Sequence, residues 1–202
     1  MKKPYAESAD QNKDAILTIL YHEFQSYRNV LEIGSGTGQH AVYFARHLPH
    51  LSWQTSELAE NLPGIHLWLE GAGLDNLKAP VLLNVSTTEW PTGQVDALFS
   101  ANTAHIMSED SAFKMLTGAA RLLRDEGRFC LYGPFLYAGQ HTSDSNIRFD
   151  AWLKARDPQS GVRDVALLAG HAATVGLKLV RDHAMPANNR ILVWEKSSDA
   201  DA

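Results

Sequence analysis

The stretch "LEIGSGTGQH", residues 31 to 40, places three glycines in five positions directly after an apolar run. Where a strand turns sharply into a helix, glycine allows positive φ and omits the Cβ that would keep a ligand away from unpaired backbone N–H groups. Gly34, Gly36 and Gly38 can form such a cradle; a tight turn without a ligand is the alternative. Glu57 lies 19 residues past Gly38, at the expected end of the next strand, where a carboxylate can accept both hydroxyl hydrogens of a ribose. The dinucleotide fingerprint is G-x-G-x-x-G, whereas this loop reads G-x-G-x-G and is preceded by Glu32, two residues before its first glycine. An acid at that point repels a phosphate and suits a cationic or amino-bearing ligand, which disfavours a dinucleotide oxidoreductase.

The elements that must position these groups follow from periodicity. Apolar residues at Ile16, Leu17, Ile19, Leu20 and Phe24 predict a helix between Asp10 and Tyr27. The chain then alternates: strand "NVLEIG", helix 39–48, strand "LSWQTSE", helix 58–72, strands "APVLLNV" and "QVDALFSA", helix 109–123 and strand "GRFCLYGPF". Strands separated by helical patterns predict parallel crossovers, hence an α/β sheet covered on both faces. "SNIRFDAWLKARDPQSGVRD", rich in charge and turn residues, reads as an insertion beyond the fifth strand, followed by a helix at 162–175. "GLKLVRDHA" and "RILVWEK", joined by "MPANN", predict an antiparallel hairpin, with a frayed tail at 197–202. We expect one domain over 1–202, divided into an N-terminal helical segment 1–27, a core 28–134, a substrate-side insertion 135–160, and a C-terminal helix and hairpin 161–196.

Composition narrows the partners. A net charge of −5, with no clustered Lys or Arg, argues against a nucleic-acid surface. There are no 18 consecutive apolar residues, and the polar, acidic start has no secretory pattern, so neither membrane spanning nor secretion is expected. The lone Cys130, inside an apolar run, reads as a reduced buried thiol, and a cytoplasmic location follows as the default. Nine histidines show no ligand spacing, so no metal site is expected.

"VLEIGSGTGQH" resembles the first motif of the class I S-adenosylmethionine-dependent methyltransferases. The resemblance extends over roughly residues 28–196: Glu57 in "WQTSEL" matches the ribose-binding acid, and "VDALFSANTAHI" the fourth strand and the loop bordering the methyl group. It implies a Rossmann-like α/β fold, a seven-stranded mostly parallel sheet with an antiparallel C-terminal hairpin and helices on both faces. It also implies S-adenosylmethionine as cofactor, with Glu32 organising the ligand's amino end. Asn84 and Val85 in "LLNVS" fall beside the adenine, where Asn84 departs from the usual Asp but retains an acceptor oxygen. The combination of "PYAESADQNKDAIL", "SANTAHI", "GPF", "SNIRFDAWLKARDPQSGVRD" and "MPANNRILVW" is similar to the methyltransferase-like 26 family across nearly the whole chain.

Methyl transfer from a sulfonium is an in-line displacement, so the protein mainly positions the acceptor, excludes water and sometimes takes a proton. The candidates for catalysis are Asn102, His105 and Asp150; those for substrate contact are Tyr5, Asn12, His141, Asn146 and Arg148. Each has a plainer alternative: His105 can cap the next helix, Asn102 can satisfy loop backbone, and the alternating charges from Arg148 to Asp164 can form a solvated face. A small-molecule acceptor is favoured over a protein, with the oligomeric state open. The rival function is a non-catalytic cofactor-binding or protein-interaction module that retains the fold.

Overall fold

The structure, a computed structural model, describes residues 2–87 and 89–198. The short apolar runs become strands β1 (Asn29–Ile33), β2 (Ser52–Glu57), β3 (Leu77–Leu82), β4 (Val95–Ala101) and β5 (Leu123–Gly133). Three short strands follow, β6 (Phe135–Tyr137), β7 (Gln140–His141) and β8 (Arg163–Asp164), then β9 (Leu177–Ala184) and β10 (Arg190–Lys196). The longer amphipathic segments form α1 (Glu7–Glu23), α2 (Gln39–His47), α3 (Leu62–Ala72), α4 (Glu109–Leu122), α5 (Asp144–Arg156) and α6 (Val165–Thr174). The main sheet runs in the order β3-β2-β1-β4-β5-β10-β9. Its first five strands are parallel, and β10 lies antiparallel between β5 and β9. This is the α/β architecture expected, including the C-terminal hairpin.

Several boundaries differ from expectation for local reasons. β3 stops at Leu82 instead of continuing through Val85, because Asn84 folds an Asx turn in which its Oδ1 accepts from Ser86 N at 2.9 Å. α3 starts at Leu62, four residues late, with Pro63 in its first turn, where the missing N–H costs nothing. β5 begins at Leu123, immediately after α4, because Leu123 already pairs with Val95. The C-terminal helix starts at Val165 because Asp164 Oδ1 caps it, accepting from Ala166 N at 2.7 Å. The insertion is ordered around β7-β6-β8 and α5, whose N-cap Ser143 accepts from Asn146 N at 3.2 Å. Of the tail expected at 197–202, residues 199–202 lie outside the described residues.

Alternation along the central strands sorts the core onto two faces. Leu31, Leu98, Phe129, Leu131 and Leu192 pack with Met115 and Leu116 of α4 and Leu168 of α6. Val30, Phe99, Cys130 and Val193 pack with Ile16 and Leu20 of α1 and Phe44 of α2. Among the described residues no helix is long and apolar enough to cross a membrane.

The far end of α1 is pinned by charge. Glu23, 5 % exposed, accepts from Arg181 Nε at 2.7 Å and Nη2 at 2.8 Å, from Arg128 Nη1 at 3.1 Å, and pairs with His183 Nε2 at 3.0 Å. Burial pushes its pKa up, but the bonds from Arg181 and His183 and the charges of Arg181 and Arg128 outweigh it, leaving the carboxyl below its ordinary value. Glu23 therefore contributes stability above the unfolded pKa of about 4.3, and that contribution is lost as the pH falls through the lower folded value. Removing one partner of such a buried pair costs roughly 3–5 kcal/mol. In denaturant unfolding at pH 7, Glu23→Gln should lose stability of that order, and the gap to the wild type should narrow only below about pH 4.

Candidate functional site

The turn from β1 into α2 takes positive φ at its glycines, and two of them shape the site. Gly34 has φ +71°, and a Cβ there would lie 2.5 Å from Thr103 Cγ2, so the turn presses against the loop after β4. Gly36 has φ +55° and nothing within 4 Å of an added Cβ: the space beside it is open cavity. Three hydroxyls stitch the turn to its neighbours. Ser35 Oγ donates to Glu32 Oε2 at 3.0 Å, Ser56 Oγ to the Glu32 carbonyl at 2.6 Å, and Ser100 Oγ to the Ile33 carbonyl at 2.7 Å.

Glu32 does not border the cavity. Strand alternation turns it into the α1/α2 face of the core, 1 % exposed, where its Oε2 accepts from Ser35 Oγ and, at 3.1 Å, from Trp53 Nε1. The role expected for it at a ligand's amino end gives way to one beneath the loop. Burial raises its pKa to about 7, against the two hydrogen bonds, with the nearby Glu57 charge adding to the rise.

A cavity of about 860 Å³ opens above the C-terminal ends of β1, β2 and β4, a size suited to a nucleoside-sized ligand. Gly34, Gly36, Glu57, Asn84, Val85 and Asn102 all border it. Gly38 stands just behind the wall: a Cβ there would lie 3.3 Å from Ile65 Cγ2 and Trp68 Cβ, so it lets α2 pack on α3. The Glu57 carboxylate accepts from Gly36 N at 2.9 Å through one oxygen and from Leu58 N at 2.8 Å through the other, which fixes it at the lip of the glycine turn. Asn84 spends its Oδ1 on Ser86 N, so its main remaining polar offering is its amide nitrogen. Asn102 sits at φ +60°, with its backbone N–H donated to the Tyr132 carbonyl at 2.9 Å.

The N-terminal segment forms one side of the same cavity. Pro4 packs on Gly64, where an added Cβ would meet Pro4 Cγ at 2.8 Å, and Trp68 Nε1 donates to the Pro4 carbonyl at 2.7 Å. Ala6 N donates to Gln39 Oε1 at 2.5 Å, and Gln39 Nε2 returns a bond to the Ala6 carbonyl at 3.3 Å. Asn12 meets His40 Nε2 at 2.7 Å, and His40 borders the cavity. Sequence reading did not single out His40, Gln39 or Trp68, since each acts through a contact with the N-terminal segment more than 25 positions away. Tyr5 does not join the cavity wall; it is exposed, with its hydroxyl bonded to Asp10.

The remaining candidates gather elsewhere. His105 is 6 % exposed and packs edge-on to Phe149, with ring centroids 5.1 Å apart, outside the cavity lining. Burial, with the Arg163 charge adding, pushes its pKa down to about 4. Asp150 is an internal anchor, accepting from Val162 N at 2.7 Å and Lys154 Nζ at 2.6 Å, with His141 Nε2 at 3.5 Å. Asn146 is buried and donates to Thr142 Oγ1 at 3.0 Å and to the Asn188 carbonyl at 3.2 Å. Arg148 is exposed, with no ion pair among the described residues. His105, Asp150, His141, Asn146 and Arg148 thus brace or decorate the insertion and do not meet the cavity. Arg163, expected on a solvated face, is half-buried and donates to the carbonyls of Ala104, Met107 and Gln159, holding the loop after β4.

The raised pKa of Glu32 has a definite sign. The native state binds this proton more tightly than the unfolded chain does, so stability falls as the pH rises from about 4.5 to about 7. Glu32→Gln, which keeps acceptors for Ser35 and Trp53, removes this term. Denaturant melts should show a wild-type stability loss over that window, on the order of 3 kcal/mol, that is absent from the variant.

Comparison with solved structures places the fold. An O-methyltransferase family protein from Burkholderia thailandensis aligns with a TM-score of 0.81 and 15 % identity, over 93 % of this chain and 57 % of that one. An O-methyltransferase family 2 protein from Planctomyces limnophilus DSM 3776, in complex with apigenin, gives 0.81 and 16 %, over 94 % and 58 %. CalO1, a methyltransferase in calicheamicin biosynthesis solved in its SAH-bound form, gives 0.76 and 19 %, over 94 % and 54 %. The chain spans little more than half the length of these proteins, and at such identities the likeness is one of fold. Residues 3–196 match the model of the family described as protein of unknown function (DUF938), and the chain belongs to that family.

Proposed function

We propose that this chain is an S-adenosylmethionine-dependent methyltransferase acting on a small-molecule acceptor, in a single domain, in a cytoplasmic setting and in kinship with the methyltransferase-like 26 family. The observation that carries this reading is the Glu57 carboxylate, held 2.9 Å from Gly36 N at the edge of a cavity whose floor is bare glycine backbone. The open space beside Gly36 is the kind of close backbone approach that an adenosyl ligand needs, and the fold is shared with CalO1, a methyltransferase solved in its SAH-bound form.

When bound, S-adenosylmethionine supplies an electrophilic methyl group on a sulfonium. Glu57 would take the ribose hydroxyls, Gly34 and Gly36 would admit the ligand against the main chain, and Asn84 and Val85 would border the base. Glu32 would support the turn from beneath, about half protonated near pH 7. The apolar walls from Ile33, Leu83, Ile106 and Met107 would exclude water around the reacting atoms. The net charge of −5 supports a small acceptor over nucleic acid.

Glu57→Ala tests the reading. Losing two hydrogen bonds at about 0.5–1.5 kcal/mol each should weaken S-adenosylhomocysteine binding by roughly 5- to 150-fold in calorimetric titration. Unchanged affinity would reject the role of Glu57.

A further inference from the structure

Where α1 crosses the start of α2, the His40 ring is clamped by aromatic neighbours. It stacks on Phe44 at 5.2 Å and 16° and meets Phe99 edge-on at 6.2 Å. Its Nε2 faces the Asn12 Oδ1 at 2.7 Å, and the Ala9 carbonyl on the same turn of α1 also bonds the ring. The side chains of Asn12 and Asn189 also interact with the Tyr132 hydroxyl, and Asn12 presents its Oδ1 to His40. An oxygen acceptor opposite Nε2 requires the proton on that nitrogen, so Nδ1 carries the lone pair. Asn12 is the side-chain hydrogen-bond partner of the ring among the described residues, and the ring borders the cavity.

Burial pushes the imidazole down to about 4, the Ala9 carbonyl opposing and the Lys13 charge adding. The ring is therefore neutral at pH 7. Of the titratable groups on the elements packed around it, Lys13 of α1 is the one whose charge acts on the ring. Lys13 is paired with Asp10, and Glu57 is oriented by Gly36 N and Leu58 N. The other charged side chains bordering the cavity, among the described residues, are Lys2 and Glu60.

We infer that His40 is the residue that contacts the methyl acceptor, its Nδ1 receiving a hydrogen bond from a neutral O–H or N–H group. The inference rests on the cofactor reading of the same cavity. In the transfer, the acceptor heteroatom's lone pair forms the bond to the methyl carbon, and the carbon–sulfur pair goes to sulfur, leaving the thioether. The X–H proton passes to Nδ1 and then to water. So weak a base takes the proton only as the new bond forms, which suits a neutral hydroxyl or amine and gives no hold on an acceptor without an X–H.

The test is nitrogen NMR on the full chain with labelled imidazoles, saturated with S-adenosylhomocysteine and titrated in parallel with phenol, aniline and anisole. Nδ1 should resonate as a lone-pair nitrogen and Nε2 as a protonated one. Phenol or aniline should move the Nδ1 signal upfield, and anisole should leave it in place. Asn12→Asp should raise the His40 pKa by about 1–3, the effect of an adjacent opposite charge, which checks the contact that sets the tautomer. A proton on Nδ1, an Nδ1 signal indifferent to both phenol and aniline, or an unmoved pKa in Asn12→Asp would overturn the assignment. Absence of S-adenosylhomocysteine binding in calorimetry would instead overturn the cofactor reading, while the tautomer and the Asn12→Asp shift remain measurable in the free protein.

Discussion

The site depends on main chain that must pass from β1 to α2 through left-handed conformations while pressed against the loop after β4. Thr103 leaves no room for a Cβ at Gly34, and Gly36 faces open cavity, so the same turn is closed on one side and bare on the other. Its polar groups are bonded inward by Ser35, Ser56 and Ser100, which leaves the strand ends rigid under the cavity. A backbone surface that approaches a ligand closely must be fixed in this way, since it has no side chains with which to adjust.

Two buried carboxylates show opposite answers to the cost of burying charge. Glu23 is met by two arginines and a histidine and stays ionised, which fastens the C-terminal end of α1 to β5 and β9. Glu32 is offered only neutral donors from Ser35 and Trp53, and its proton is retained towards neutrality. With Glu23 holding one end and Asn12, together with Gln39 and Trp68, holding the segment at the other, α1 and its leader become a fixed cavity wall.

The insertion is held by its own polar network. Asp150 joins α5 to Val162 and Lys154, Asn146 reaches the Asn188 carbonyl, and Arg163 fastens the loop from Ala104 to Met107. Residues with the chemical character of catalysts are spent here on geometry, because a charge-rich segment folded against a sheet end must satisfy its own donors and acceptors before offering any to a ligand.

What the sequence determined by itself is the alternation of strands and helices, the antiparallel close of the sheet and the glycine turn with an acid at the next strand end. These signals are local: two- and 3.6-residue periodicities, a proline, and glycines where φ must be positive. Tertiary structure decided which polar residues face the cavity. Glu32 turned inward because strand alternation put it beside Trp53, His105 was enclosed by Phe149, and Asp150 was claimed by Val162 and Lys154. His40 came to the wall only because Asn12, 28 positions earlier, lies across it. A side chain's exposure and partners are set by contacts distant along the chain, and no spacing within a single motif encodes them.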